Sequence, residues 1–197
     1  MQYLICASAL LIGYIIGSIP TGYWIVKHKT GIDIREKGSG STGATNVSRV
    51  LGKKWFFIVM FLDILKGFMP VLAMKLFMED DFNIVCLAFG LIIGHSRSCF
   101  LKCKGGKSVA IGMGILFALN WVAGLIVFLV WTMMVQASEY VSKASILAFM
   151  IAPFALWLCD VPMIYVLYGT VASSYIIYRH RENIKLLNRH TENKISM

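Results

Sequence analysis

The sequence predicts an all-α integral membrane protein: a seven-transmembrane-helix bundle, N-terminus outside and C-terminus cytoplasmic, with some helices short. Three observations carry this. Of 197 residues, 58% are hydrophobic and only 15% charged, whereas a soluble domain is about a quarter charged and under half apolar. The apolar residues form long runs. The net charge of +9, from 19 Lys and Arg against 10 Asp and Glu, is collected mainly between those runs.

A span needs roughly 20 apolar residues to cross about 30 Å of hydrocarbon. Tyr3–Val26 and Trp55–Met78 satisfy this, and Asn83–Ile93 is apolar but short. Then come Ser108–Leu119, Trp121–Gln136, Ser145–Leu158 and Pro162–Tyr178. The break at Asn120 is weak. The break at Asp160–Pro162 is stronger, because Pro ends helices and Asp is costly in lipid.

Charge orders these segments. Lys27, Lys29, Arg35, Lys37, Arg49, Lys53 and Lys54 form one basic block. Arg97, Lys102, Lys104 and Lys107 form a second, and Arg179, Arg181, Lys185, Arg189 and Lys194 a third. The positive-inside rule puts all three in the cytoplasm. The acidic turn Glu79-Asp80-Asp81 and Asp160 then lie outside. An even number of spans must separate the second and third blocks. Two spans would make Ser145–Tyr178 one helix of about 51 Å, too long and interrupted by Pro162; four spans fit and place Lys143 inside. A single domain covers 1–197.

Cys6, Cys86 and Cys159 lie in or beside apolar runs and read as small hydrophobes rather than a disulfide framework. Cys99 and Cys103 lack the second Cys/His pair that a zinc site needs, so no metal or cofactor is expected. M-Q-Y-L-I-C carries no basic segment, so no signal peptide is expected.

The basic loops hold more than lysine. In the first, Gly38, Gly40 and Gly43 alternate with Ser39, Ser41 and Thr42, ahead of Thr45, Asn46 and Arg49. Glycines let backbone N–H groups turn towards an anion, and hydroxyls add donors. Ala44 to Leu51 can begin a helix whose dipole favours an anion, and Arg49 can grip a phosphate with two hydrogen bonds. A flexible turn is the plainer reading. The second block carries Lys104-Gly105-Gly106-Lys107 immediately before a helix, without the glycine spacing of a P-loop. In the third, His180 and Asn183 offer donors beside arginines that would also anchor the last span. Three such blocks on one face suggest one site for phosphate-bearing substrates. No Ser-His-Asp arrangement or nucleophile elbow is visible.

Asp63 and Lys66 lie three apart inside the second span, on one helix face. Intramembrane charges are functional candidates, but a mutual ion pair supporting the loop above is the favoured reading. His95 reads as an interfacial or satisfied polar residue. His28 and Asp33 have the His-(four residues)-Asp spacing of acyl-CoA-dependent glycerolipid acyltransferases, a short pattern that arises easily by chance.

Taken in order, G-S-I-P-T-G-Y at Gly17–Tyr23, G-I-D-I-R-E, G-S-G-S-T-G-A-T-N-V-S-R, D-I-L-K-G at Asp63–Gly67, Gly94-His95, K-G-G-K at Lys104–Lys107, Y-V-S-K-A-S at Tyr140–Ser145 and R-H-R-E-N-I at Arg179–Ile184 resemble the bacterial acyl-phosphate:glycerol-3-phosphate acyltransferases over nearly the whole chain. The resemblance implies a seven-helix fold with its N-terminus outside. It implies direct attack of the 1-hydroxyl of sn-glycerol 3-phosphate on a fatty acyl phosphate, giving 1-acyl-glycerol 3-phosphate and phosphate, the first acylation of phospholipid synthesis. Ser39, Arg49, Lys107, His180 and Asn183 are the implied catalytic residues. Gly38, Gly40, Gly43, Thr45, Asn46, Lys104, Gly105, Gly106 and Ser145 are the implied substrate-binding ones. The partners are these two substrates and membrane lipids, with no nucleic acid, downstream of an enzyme that forms acyl phosphate. The expected location is the cytoplasmic (inner) membrane, with the active site facing the cytoplasm. An acyl phosphate is already activated, so positioning and charge stabilisation suffice, and the donor's phosphate can accept the hydroxyl proton.

Several positions depart from the family pattern: Ser41 stands for a common Asn, Ser98 for Pro with an extra Arg at Arg97, Ser108 for Gly, Leu186 for a frequent Arg, and His190 for a frequent Gly. Two rivals remain open at this level: an acyl-CoA-dependent enzyme using His28 and Asp33, and an anion transporter, which would need polar residues through several helices.

Overall fold

The computed structural model describes residues 1–78 and 80–195; Glu79 of the expected acidic turn lies outside the described residues. Most of those residues are helical, with no strand among them. In chain order the helices are α1 (Gln2–Ser18), α2 (Thr21–Thr30), α3 (Ala44–Leu51), α4 (Lys53–Phe77), α5 (Asp81–Ser96), α6 (Val109–Leu119), α7 (Trp121–Ser138), α8 (Val141–Leu158), α9 (Met163–Arg179) and α10 (Arg181–Asn188). Short 3₁₀ turns lie at Ile34–Glu36 and Cys99–Leu101. Contacts divide the chain into two compact units, Met1–Ile115 and Leu116–Met197.

Among the described residues, five stretches are long and apolar enough to cross a membrane: Gln2–Thr30, Lys53–Phe77, Asp81–Leu101, Trp121–Ser138 and Val141–Leu158. α6 is apolar with 11 residues, and α9 has 17. The expected first span, Tyr3–Val26, is not one continuous helix. Pro20 lacks an N–H, so α1 stops at Ser18 and α2 restarts at Thr21. The break at Asn120 is real, because its side chain caps α7 by accepting from the Val122 and Ala123 amides, each at 3.0 Å.

In the first unit α5 is buried along most of its length. It packs parallel to α1 through small residues repeating every four positions: Ala9, Gly13 and Gly17 on α1, and Cys86, Gly90 and Gly94 on α5. A Cβ at Gly13 or Gly17 would strike the backbone of Leu87 or Leu91, and one at Gly90 or Gly94 that of Leu10 or Tyr14. Small residues let membrane helices approach until their backbones touch. This register also corrects the reading of Cys6 and Cys86 as free thiols: their Cα atoms stand 5.7 Å apart and the sulfurs are paired in a disulfide. Gly67 on α4 and Gly114 on α6 make the same kind of close approach, to Ile111 and Ile64 respectively.

In the second unit α8 contacts both α7 and α9. Phe57, Phe61 and Met69 on α4, Leu125, Leu129 and Met133 on α7, and Leu167 and Val171 on α9 stay exposed. Helices apolar on every side suit a surface solvated by lipid.

Candidate active site

The first glycine-rich loop is folded around one side chain. Asn46, in the first turn of α3, is 1% exposed. Its amide nitrogen donates to the carbonyls of Lys37 and Ser41, both at 2.9 Å, and of Ile34 at 3.3 Å. Its amide oxygen accepts from the Ser39 N–H at 3.0 Å. Gly38 and Gly40 take φ of +54° and +67°, and a Cβ on Gly38 would collide with the Asn46 oxygen. Glycine is required at Gly38 on both grounds. Asn46 thus acts through the loop it ties. Ser39 and Arg49 are exposed, Thr45 is half-buried, and Gly43 caps α3.

Arg35 joins this loop to the next basic block. Its guanidinium grips both Asp33 oxygens, the shortest contact being 2.6 Å, lies over the Tyr23 ring and donates to the Leu101 carbonyl at 3.3 Å. The guanidinium holds the Asp33 carboxyl at about 2, below its ordinary 3.8. A depressed carboxyl stabilises the fold above its unfolded value, so this clamp weakens only as pH falls below 3.8 and through about 2. Asp33 is therefore committed to Arg35, while His28 is exposed on α2.

The second loop rests on a buried polar cluster. Lys66 Nζ lies 3.0 Å from Asp63 Oδ1, an ion pair held by charge rather than by an aligned hydrogen bond. Lys66 also donates at 2.8 Å to the Ile19 carbonyl, which at the break between α1 and α2 accepts from the Thr21 N–H at 3.1 Å as well. His95 Nδ1 is 3.2 Å from Lys66 Nζ. A lysine ammonium only donates, so His95 Nδ1 accepts. The His95 carbonyl in turn receives the Gly106 N–H at 3.1 Å, and a Cβ at Gly105 or Gly106 would strike His95. The mutual ion pair expected of Asp63 and Lys66 is present, and through His95 it contacts the loop that carries Lys104 and Lys107. Ser108 holds a left-handed φ of +64°, and its hydroxyl donates to the Ile92 carbonyl at 2.9 Å.

In the second unit Ser145 is buried. It accepts from Trp131 Nε1 at 3.2 Å and donates to the Val141 carbonyl at 2.7 Å. His180 is also buried, with Nδ1 2.8 Å from the Ile176 carbonyl; a carbonyl only accepts, so Nδ1 carries the proton. The Asn183 amide nitrogen meets both carboxylate oxygens of Glu192, at 2.9 and 3.1 Å. A cavity of about 570 Å³ lies beside Lys143, Ile146, Leu147 and Met150 of α8, with His190 and Glu192 on its rim. Sequence reasoning missed Asn46 as the loop's organiser, Arg35 as the bridge between loops, and Glu192. Only the run of glycines before Asn46 hinted at the first.

Comparison with known proteins agrees with this architecture. Residues 7–190 match the family described as glycerol-3-phosphate acyltransferase. A glycerol-3-phosphate acyltransferase of Synechococcus sp. (strain JA-3-3Ab) is 44% identical over 187 residues, covering 95% of this chain and 92% of that one. One from Nostoc sp. (strain PCC 7120) is 41% identical over 208 residues, covering 97% and 92%. The crystal structure of PlsY (YgiH), an integral membrane glycerol 3-phosphate acyltransferase, in its glycerol 3-phosphate form superimposes with a TM-score of 0.91 at 40% identity, covering 97% of this chain and 96% of that one. Its lysophosphatidic acid form gives 0.88, covering 97% and 95%. With a family match over most of its length and relatives above 40% identity, the chain belongs to the glycerol-3-phosphate acyltransferases, multi-pass integral membrane enzymes that acylate glycerol 3-phosphate.

Proposed function

We propose that the acyl donor is a fatty acyl phosphate and that transfer to the 1-hydroxyl of glycerol 3-phosphate is direct, with no acyl-enzyme. The observation that carries this reading is the commitment of Asp33 to Arg35. An acyl-CoA enzyme of the His-(four residues)-Asp kind needs its Asp to orient the His, and here that carboxylate is a clamp between two anion-binding loops.

In the first unit, the Ser39 loop with Arg49 and the Lys104–Lys107 loop supply cationic and backbone donors suited to phosphate oxygens. Arg49 and Lys107 stabilise the departing phosphate and the oxyanion; Ser39, Thr45, Gly38, Gly40, Gly43, Gly105, Gly106 and Lys104 position the substrates, and Asn46 shapes their loop. His180 and Asn183 orient the acceptor, and Ser145, which bonds Trp131, holds α8 to α7. Because the leaving group is itself a phosphate, it can accept the hydroxyl proton, and no protein base is required.

The reaction would run at the cytoplasmic face of the inner membrane, downstream of an enzyme that forms acyl phosphate. Seven spans, N-terminus out and C-terminus in, fit the three basic blocks. The Cys6–Cys86 disulfide lies toward the N-terminal ends of α1 and α5, the ends this orientation puts on the oxidising side, where disulfides persist. The test supplies purified protein and glycerol 3-phosphate with acyl phosphate or acyl-CoA in separate reactions. Turnover with acyl phosphate alone is expected, and turnover with acyl-CoA alone overturns the reading.

A further inference from the structure

We infer that Glu192 is a positioning residue that sets the orientation of the Asn183 amide, so that Asn183 offers its carbonyl oxygen, an acceptor, to a hydroxyl of glycerol 3-phosphate rather than its N–H to the phosphate. The inference rests on the proposal that Asn183 meets the acceptor.

Residues 191–195 follow the segment that matches the family. They turn back along the second unit. Lys194 Nζ reaches Glu139 Oε2 at 2.7 Å and lies over the Tyr140 ring, and the Ile195 N–H donates to the Glu139 carbonyl at 2.9 Å. Between these ties and α10, the half-buried Glu192 closes on Asn183 with both carboxylate oxygens.

The chemistry then leaves one arrangement. An amide has one end that donates and one that accepts, and the two are nearly the same shape. A carboxylate only accepts, so the nitrogen must face Glu192 and the carbonyl must turn to the other side. That carbonyl has two lone pairs and can accept a substrate hydroxyl alongside a bond within the fold. A phosphate oxygen, itself an acceptor, has nothing to give it. Asn183 so held favours the glycerol hydroxyls over the phosphate.

The test is an exchange of chemistry across the pair. Asn183→Asp sets two carboxylates against each other. Asn183→Asp with Glu192→Gln restores the wild-type net charge: the introduced glutamine amide donates, and the introduced carboxylate still presents an acceptor. The single variant is expected to raise the KM for glycerol 3-phosphate about tenfold or more with the donor KM unchanged. The double variant recovers most of that loss. A folded double variant no better than Asn183→Asp overturns the inference, because the site then needs the Asn183 N–H. Binding of glycerol 3-phosphate, followed as thermal stabilisation of each variant, is read in parallel. The wild-type donor assay is done first, so a wrong donor is distinguished from a wrong role for Glu192.

Discussion

Asn46 shows how much of the site hangs on single side chains. It satisfies three backbone carbonyls and one N–H of the Ser39 loop from a buried position. Leaving buried backbone groups without partners costs about 1–3 kcal/mol. Asn46→Ala is therefore expected to lower stability by about that much and to abolish most glycerol 3-phosphate turnover, measured by thermal unfolding in detergent beside the activity assay. Wild-type turnover in a folded Asn46→Ala protein would refute the role. Two departures from the family pattern are also explained by single side chains. Ser98, in place of Pro, donates its hydroxyl to the Ser18 carbonyl at 2.6 Å. Ser108, in place of Gly, carries a left-handed φ and offsets it by bonding the Ile92 carbonyl. These contacts link residues 80 and 16 positions apart, so the motif alone gave no sign of them.

At the scale of elements, the α1–α5 seam is the most exacting part of the first unit. Its small residues recur every fourth position, a spacing visible in the sequence, but which two helices share the seam was not. Helices apolar all round give no preferred face, because lipid and protein interior are equally apolar. Backbone contact at Gly13, Gly17, Gly90 and Gly94 selects the partner. Gly90→Leu is expected to destabilise by at least about 1–3 kcal/mol, since the atoms it meets are backbone and cannot swing away. A lower unfolding temperature checks this, and an exposed change such as Phe61→Leu on α4 is the control; equal effects at the two positions would argue against the seam. The α1–α2 break was half legible: Pro20 was in plain view, but the apolar run continued through it. The Ile19 carbonyl at that break also accepts from Lys66, far along the chain.

For the whole molecule, the orientation rests on charge. Lys and Arg outside lipid are held on the cytoplasmic side, and natural cysteines report on this. Cys99 and Cys103 are exposed in the second basic block, while Cys159 sits beside Asp160 at the opposite end of α8 from Tyr140. A membrane-impermeant thiol reagent should reach Cys99 and Cys103 only in inside-out vesicles and Cys159 only from the outer side, read by peptide mass spectrometry. Labelling of Cys103 in intact cells would reverse the orientation.

Composition, apolar runs and the clustering of basic residues determined that this is a helical membrane protein with basic, glycine-rich loops, because hydrophobicity and net charge are sums over residues that need no geometry. The ordered motifs determined its family. Which helices touch, that Cys6 pairs with Cys86, that Asp33 serves Arg35 rather than His28, and that Glu192 reaches Asn183 were decided only on folding. Each depends on contacts between residues whose partners are set by backbone direction and close approach. A local motif carries the chemistry of its side chains, but not the direction in which they point.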